Sequence, residues 1–163
     1  MKPQTFTWKK LTADELTRVY LDEMRRDFPP SELKPLSMIL NSEAVGMAHT
    51  WGVFEGETLV SYLLMVRPMG CEVSQLDYFS VLPAYRSTGI GAKLLDFARK
   101  KLPEHAHPVL SVLNTNTRAI ALYTRMGWQL DGSTSLEFDP KQYPTVTRKC
   151  ALVQMRYAGP VQE

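Results

Sequence analysis

Residues 79–95 read FSVLPAYRSTGIGAKLL, with Arg86 ahead of Gly89 and Gly91 and a leucine-rich run behind them. The stretch from Glu72 to Leu82 is rich in aliphatic and aromatic residues and reads as a strand. After the glycines, Ile90, Leu94, Leu95, Ala98 and Leu102 recur at helical spacing until Pro103 stops them. A loop that opens a helix meets unpaired N–H groups and the positive end of the helix dipole, so it suits an anion. Glycine lets a ligand approach the backbone closely, and Arg86 offers a fork of donors to a phosphate oxygen.

Two familiar phosphate loops are excluded. A P-loop needs G-x-x-x-x-G-K-[ST], but Gly91 is followed by Ala92, Lys93 and Leu94. A dinucleotide fingerprint needs a third small residue, and that position holds Leu94. It also belongs in the first βα turn, whereas this loop lies past mid-chain and follows antiparallel strands. Arg-x-x-Gly-x-Gly remains. Alone it is weak, because a glycine-rich turn leading into a packed helix has the same letters.

The surroundings narrow the choice. A chain of 163 residues fits one domain with a core of its own, and we read residues 1–163 as a single domain. Net charge is +2 with the basic residues scattered, which argues against a nucleic-acid partner. The start, MKPQTFTWKK, lacks an apolar signal region and no run is long enough to span a bilayer, so a soluble, cytoplasmic protein is expected. Cys71 and Cys150 make no disulfide framework and read as structural. His105 and His107 have no ligand partners in register, so they read as a solvated loop and no metal is expected.

Thr12 with Glu15 predicts a capping box for a helix from Ala13 to about Asp27, ended by Phe28-Pro29-Pro30. A second helix opens at residues 31–35. Residues 48–54 and 58–66 predict a hairpin, 109–113 a strand, 116–126 a helix stopped by Gly127, and 128–138 and 146–157 two last strands. The order is β-α-α-β-β-β-α-β-α-β-β. Its central strand-helix-strand, residues 72–113, predicts a right-handed unit with parallel strands inside a mixed sheet.

The second motif is NTNTRAIALYTRMGW, residues 114–128. Asn116 and Tyr123 are about two helical turns apart and share a face. Each has a plain explanation, a cap for Asn116 and a core position for Tyr123. In order and on consecutive βα units, the two motifs are far more specific than either. Together they resemble those of the GNAT superfamily of N-acetyltransferases, and the element order matches along nearly the whole chain. The resemblance implies an α/β fold of the α+β, mixed-sheet kind. About seven strands would be flanked by about four helices, with a splayed parallel strand pair at the centre.

It also implies roles. The loop amides from Arg86 through Ser87, Thr88, Gly89, Ile90 and Gly91 to Ala92 would bind the pyrophosphate of acetyl-CoA. The backbone of Phe79 and Val81 would pair with its pantetheine arm, Asn116 would touch the cofactor and Tyr123 would sit near its sulfur. The chemistry asks for an N–H aimed at the thioester oxygen, for which Val81 is placed, and for a proton on the departing thiolate, for which Tyr123 is placed. Asp77 has the strand parity of Phe79 and Val81 and is the candidate base for the incoming amine. Its alternatives are orienting the substrate or pairing with a nearby Arg. Phe28, Pro29, Pro30, Glu32, His49, Trp51, Glu137 and Tyr143 are candidates for the acceptor side, with residues 27–35 as a lid or as a plain interhelix turn. A non-catalytic acyl-CoA-binding sensor or scaffold of the same fold is the alternative function. A homodimer is common in the family, and no residue here decides it.

Overall fold

The computed structural model describes residues 5–67, 70–71, 73–142 and 150–159. The chain forms two compact units, Met1–Ala106 and His107–Glu163.

In the first unit strands β1 (Phe6–Lys10), β2 (Ala48–Glu55), β3 (Thr58–Val66) and β4 (Gln75–Val81) lie in that order, each antiparallel to the next. The hairpin between β2 and β3 turns at Gly56 and Glu57, with Glu55 opposite Thr58 and Gly56 at φ +63°. β3 lies between β2 and β4 and is buried from Leu59 to Met65.

Helix α1 (Ala13–Val19) starts at the expected capping box. Thr12 Oγ1 accepts from Glu15 N–H at 3.2 Å, and the Glu15 carboxylate accepts from Thr12 N–H at 3.0 Å. The helix runs on through a π turn (Tyr20–Met24) into Arg25–Asp27, so the expected single helix holds with a widened middle. We expect Thr12→Ala to cost about 1 kcal/mol of unfolding free energy in urea titration, with little change in slope. Helix α2 (Leu36–Ala44) follows Pro35. Leu16, Val19, Met24 and Ile39 meet Tyr62, Leu64 and Tyr78 in one apolar core. Helix α3 (Ile90–Lys101) packs on β2, β3 and β4, and buries Ile90, Gly91, Leu94, Leu95 and Ala98.

The second unit has strands β5 (Val109–Leu113), β6 (Trp128–Phe138) and β7 (Cys150–Tyr157) in the order β5-β7-β6, all antiparallel. Helix α4 (Thr117–Met126) packs on β6 and ends at Gly127, which adopts φ +104° and donates to the Thr124 carbonyl at 3.1 Å. The predicted first residues of β7, 146–149, lie outside the described residues.

Candidate functional site

β4 carries the first part of the site. Leu82 N–H donates to the Val60 carbonyl and Ser80 C=O accepts from Ser61 Oγ, both at 2.8 Å, so these peptide groups face β3. Along an antiparallel strand the peptide groups alternate in direction. The N–H groups of Phe79 and Val81 therefore face the opposite edge of β4. The Val81 carbonyl on that edge accepts from Arg86 Nε at 3.0 Å.

The glycine loop is built tightly onto this strand end. A turn at Pro83–Tyr85 leads in, and Arg86 N–H is spent on the Pro83 carbonyl at 3.3 Å. That removes Arg86 from the run of amides expected to meet an anion. Its side chain also folds back onto β4. Thr88 Oγ1 donates to the Tyr85 carbonyl. The Tyr85 ring sits edge-on to Phe6 with centroids 6.3 Å apart. Ser87 takes φ +67° and Gly89 φ +80°, a left-handed backbone that serine adopts only under constraint. The first intrahelical bond of α3 runs from Lys93 N–H to the Gly89 carbonyl at 3.1 Å. The amides of Ile90, Gly91 and Ala92 precede it and are the helix's orphan donors. Gly91 is buried, and a Cβ there would collide with the Phe79 ring and lie 3.0 Å from Val81 Cγ2. This glycine lets the donor-bearing turn lie directly against the strand end.

Asp77 sits at an irregularity. Leu64 pairs with Tyr78 but Met65 pairs with Leu76, so Asp77 is the extra residue of a bulge in β4. Strict alternation does not carry through it. Tyr78 and Asp77 are consecutive, yet both reach Lys34. Tyr78 Oη accepts from Lys34 N–H at 2.8 Å, and the Asp77 carboxylate lies 2.5 Å from Lys34 Nζ. Side-by-side parity with Phe79 and Val81 is thus not what places Asp77. The segment after α1 packs on β4. Phe28 lies edge-on to Tyr78 with centroids 4.9 Å apart, and Tyr78 Oη donates to the Glu32 carbonyl at 2.9 Å. Asp77, Phe28 and Glu32 are therefore gathered in one place, while Pro29 and Pro30 are exposed on the same segment. Lys34 and Tyr78 were missed from the sequence, where neither stands in a motif.

The second unit holds the other motif. Asn116 caps α4, its Oδ1 accepting from Ala119 N–H at 3.1 Å, which is its plain reading. Tyr123 is half-buried and edge-on to the fully buried Trp128 with centroids 6.0 Å apart. Burial pushes its hydroxyl above the ordinary tyrosine value. Such a group keeps its proton at neutral pH and can donate it. Glu137 is exposed on β6, and Tyr143 lies outside the described residues.

Two expectations are corrected. His105 is fully buried rather than solvated. Its Nδ1 lies 2.6 Å from the buried Ser74 Oγ, and its ring meets His49 with centroids 5.5 Å apart. Trp51 offers no acceptor surface, since it is buried against Phe97 of α3 and His105. The two cysteines are free, Cys71 exposed and Cys150 buried. Among the described residues no cluster of metal-ligating side chains occurs, and no helix is long and apolar enough to cross a membrane.

An amide-bearing turn pressed onto a strand edge by Gly91 is the arrangement the two motifs imply. The family model described as the acetyltransferase (GNAT) family matches residues 9–128, most of the chain. The chain belongs to the GNAT family of acetyltransferases. This acetyltransferase resembles the ribosomal-protein-S18-alanine N-acetyltransferase of Escherichia coli at 20% identity, covering 98% of this chain and 97% of that one, with a TM-score of 0.66. It resembles smu.2055 of Streptococcus mutans at 15% identity over 93% and 98% of the two chains, TM-score 0.71. A spermidine N-acetyltransferase chimera from Vibrio cholerae matches at 15% identity over 93% of each chain, TM-score 0.63. These likenesses show the fold. A comparison with curated proteins finds no match. The protein is an acyltransferase of the GNAT type.

Proposed function

We propose that the protein transfers the acetyl group of acetyl-CoA directly to a primary amine of a small molecule or peptide, within a ternary complex. The observation that carries this is the Gly91 contact. It brings the orphan amides of α3 against the strand end whose Phe79 and Val81 N–H groups face away from β3. Bound acetyl-CoA would supply a thioester, an acyl group ready for attack by an amine. The amides from Ser87 to Ala92 hold its pyrophosphate, helped by the helix dipole. The N–H groups of Phe79 and Val81 align its amide-bearing arm, and that of Val81 is the donor for the carbonyl oxygen. Tyr123 gives a proton to the departing sulfur, and Asp77 takes one from the amine, directly or through water. An amine acceptor agrees with two similar structures whose names specify an alanine of ribosomal protein S18 and spermidine.

Acetyl-CoA at about 100 times its Kd should add about 2.7 kcal/mol to native-state stability, a rise of roughly 5 to 10 °C in melting temperature for a chain this size. Thiol release with a panel of primary amines then tests turnover. A thermal shift with no thiol release for any amine would leave an acyl-CoA-binding protein in place of an enzyme. No thermal shift would remove both.

A further inference from the structure

The Asp77 carboxylate already holds a primary ammonium, that of Lys34 at 2.5 Å. The acid is largely enclosed, its side chain 10% exposed, whereas the lysine side chain is 42% exposed. The backbone of Lys34 does not depend on this ion pair. Its N–H donates to Tyr78 Oη at 2.8 Å and its C=O accepts from Tyr20 Oη at 2.8 Å. Tyr78 Oη in turn donates to the Glu32 carbonyl, so two tyrosine hydroxyls fix the chain from Glu32 to Lys34 at peptide groups. The long side chain can leave Asp77 by rotating into solvent while the segment stays where it is. Phe28 and Tyr78 supply aromatic surface beside the acid, which favours a cation with an apolar stem.

We propose that Lys34 is a placeholder for the acceptor: its ammonium occupies the position at Asp77 that the substrate's ammonium takes, and the acceptor must displace it. This rests on the reading of Asp77 as the group that meets the amine. It narrows the acceptor to one that arrives as a primary ammonium on an unbranched or aromatic-tolerant stem. The exchange is nearly neutral in charge, one ammonium leaving a carboxylate as another arrives. The lost ion pair is offset by the one that forms, so the largely enclosed carboxylate keeps a cationic partner before and after the exchange. Lys34 thus acts as a specificity residue. An uncharged acceptor cannot compete for the carboxylate, and a cationic one can.

The test uses n-butylamine, which carries the head and stem of a lysine side chain, on the full chain. Calorimetry of n-butylammonium binding compares the wild type with Lys34→Met and with the double variant Lys34→Met/Asp77→Asn. Removing the competitor should tighten binding about threefold to fivefold in Lys34→Met, and the double variant should lose that gain. In thiol release with acetyl-CoA the same gain should appear as a lower KM, with kcat moving less than KM. Equal binding in wild type and Lys34→Met overturns the proposal. So does a fall in kcat with KM unchanged, which would make Lys34 a permanent orienting partner of Asp77. The binding arm needs no acetyl-CoA. A chain that releases no thiol with any amine therefore defeats the proposed function without deciding the placeholder.

Discussion

Tyr123→Phe is expected to lower kcat by about a hundredfold or more while acetyl-CoA affinity stays within about twofold. Removing a general acid costs typically 10² to 10⁴ in rate. Binding should survive because the amides assigned to the pyrophosphate lie on α3 and its loop, not on α4. Tyr123 is also edge-on to the buried Trp128, and phenylalanine keeps that ring contact, so the melting temperature should hardly move. The pH profile gives a second readout. Burial raises the hydroxyl above its ordinary value of 10.0, so the donor keeps its proton at neutral pH and loses it only above that value. The wild-type kcat should therefore hold through neutral pH and fall on the alkaline side above about 10. The variant should lack that limb. Equal turnover in Tyr123→Phe would remove the proton-donor assignment.

Gly91→Val is the second large effect. Even a Cβ at this position would overlap the Phe79 ring and lie 3.0 Å from a Val81 methyl, both on β4. Two further methyl groups force the first turn of α3 away from β4. Overpacking of this kind costs about 1–3 kcal/mol of stability, read as a lower urea midpoint. The larger consequence is for the ligand. Displacing the turn separates the orphan amides from the strand-edge N–H groups, so the thermal shift with acetyl-CoA should vanish. A Gly91→Val protein that folds and still shows the full shift would mean that the loop does not hold the cofactor.

Much of this was readable in advance because it is local. The capping box at Thr12 and Glu15, the Gly56 turn, the Gly127 stop and the span of β5 each follow from a few adjacent residues. The Gly91 contact was foreshadowed by the spacing of two glycines after a strand. What escaped the sequence is set by partners distant along the chain. A buried histidine needs a buried partner, and Ser74 lies far from His105 in sequence, so only the folded sheet identifies the pair. The bulge at Asp77 is a property of the pairing of β3 with β4, invisible in the letters of β4 alone. Period-two reasoning therefore placed Asp77 with Phe79 and Val81, whereas its pairing with Lys34 comes from the extra residue and a segment from before α2.

The tyrosine pins around Lys34 have a consequence for how such a protein can change its trade. Three hydrogen bonds with Tyr20 and Tyr78 grip the segment by its peptide groups, which every amino acid but proline can supply at those positions. Pro29, Pro30, Ser31 and Glu32 show their side chains to solvent. Scaffold and lining are separate here. New side chains can be tried along this short run with the bonds that hold it left intact, so a descendant could acquire a different acceptor by a handful of surface substitutions, with the core, the sheet and the glycine turn left as they are.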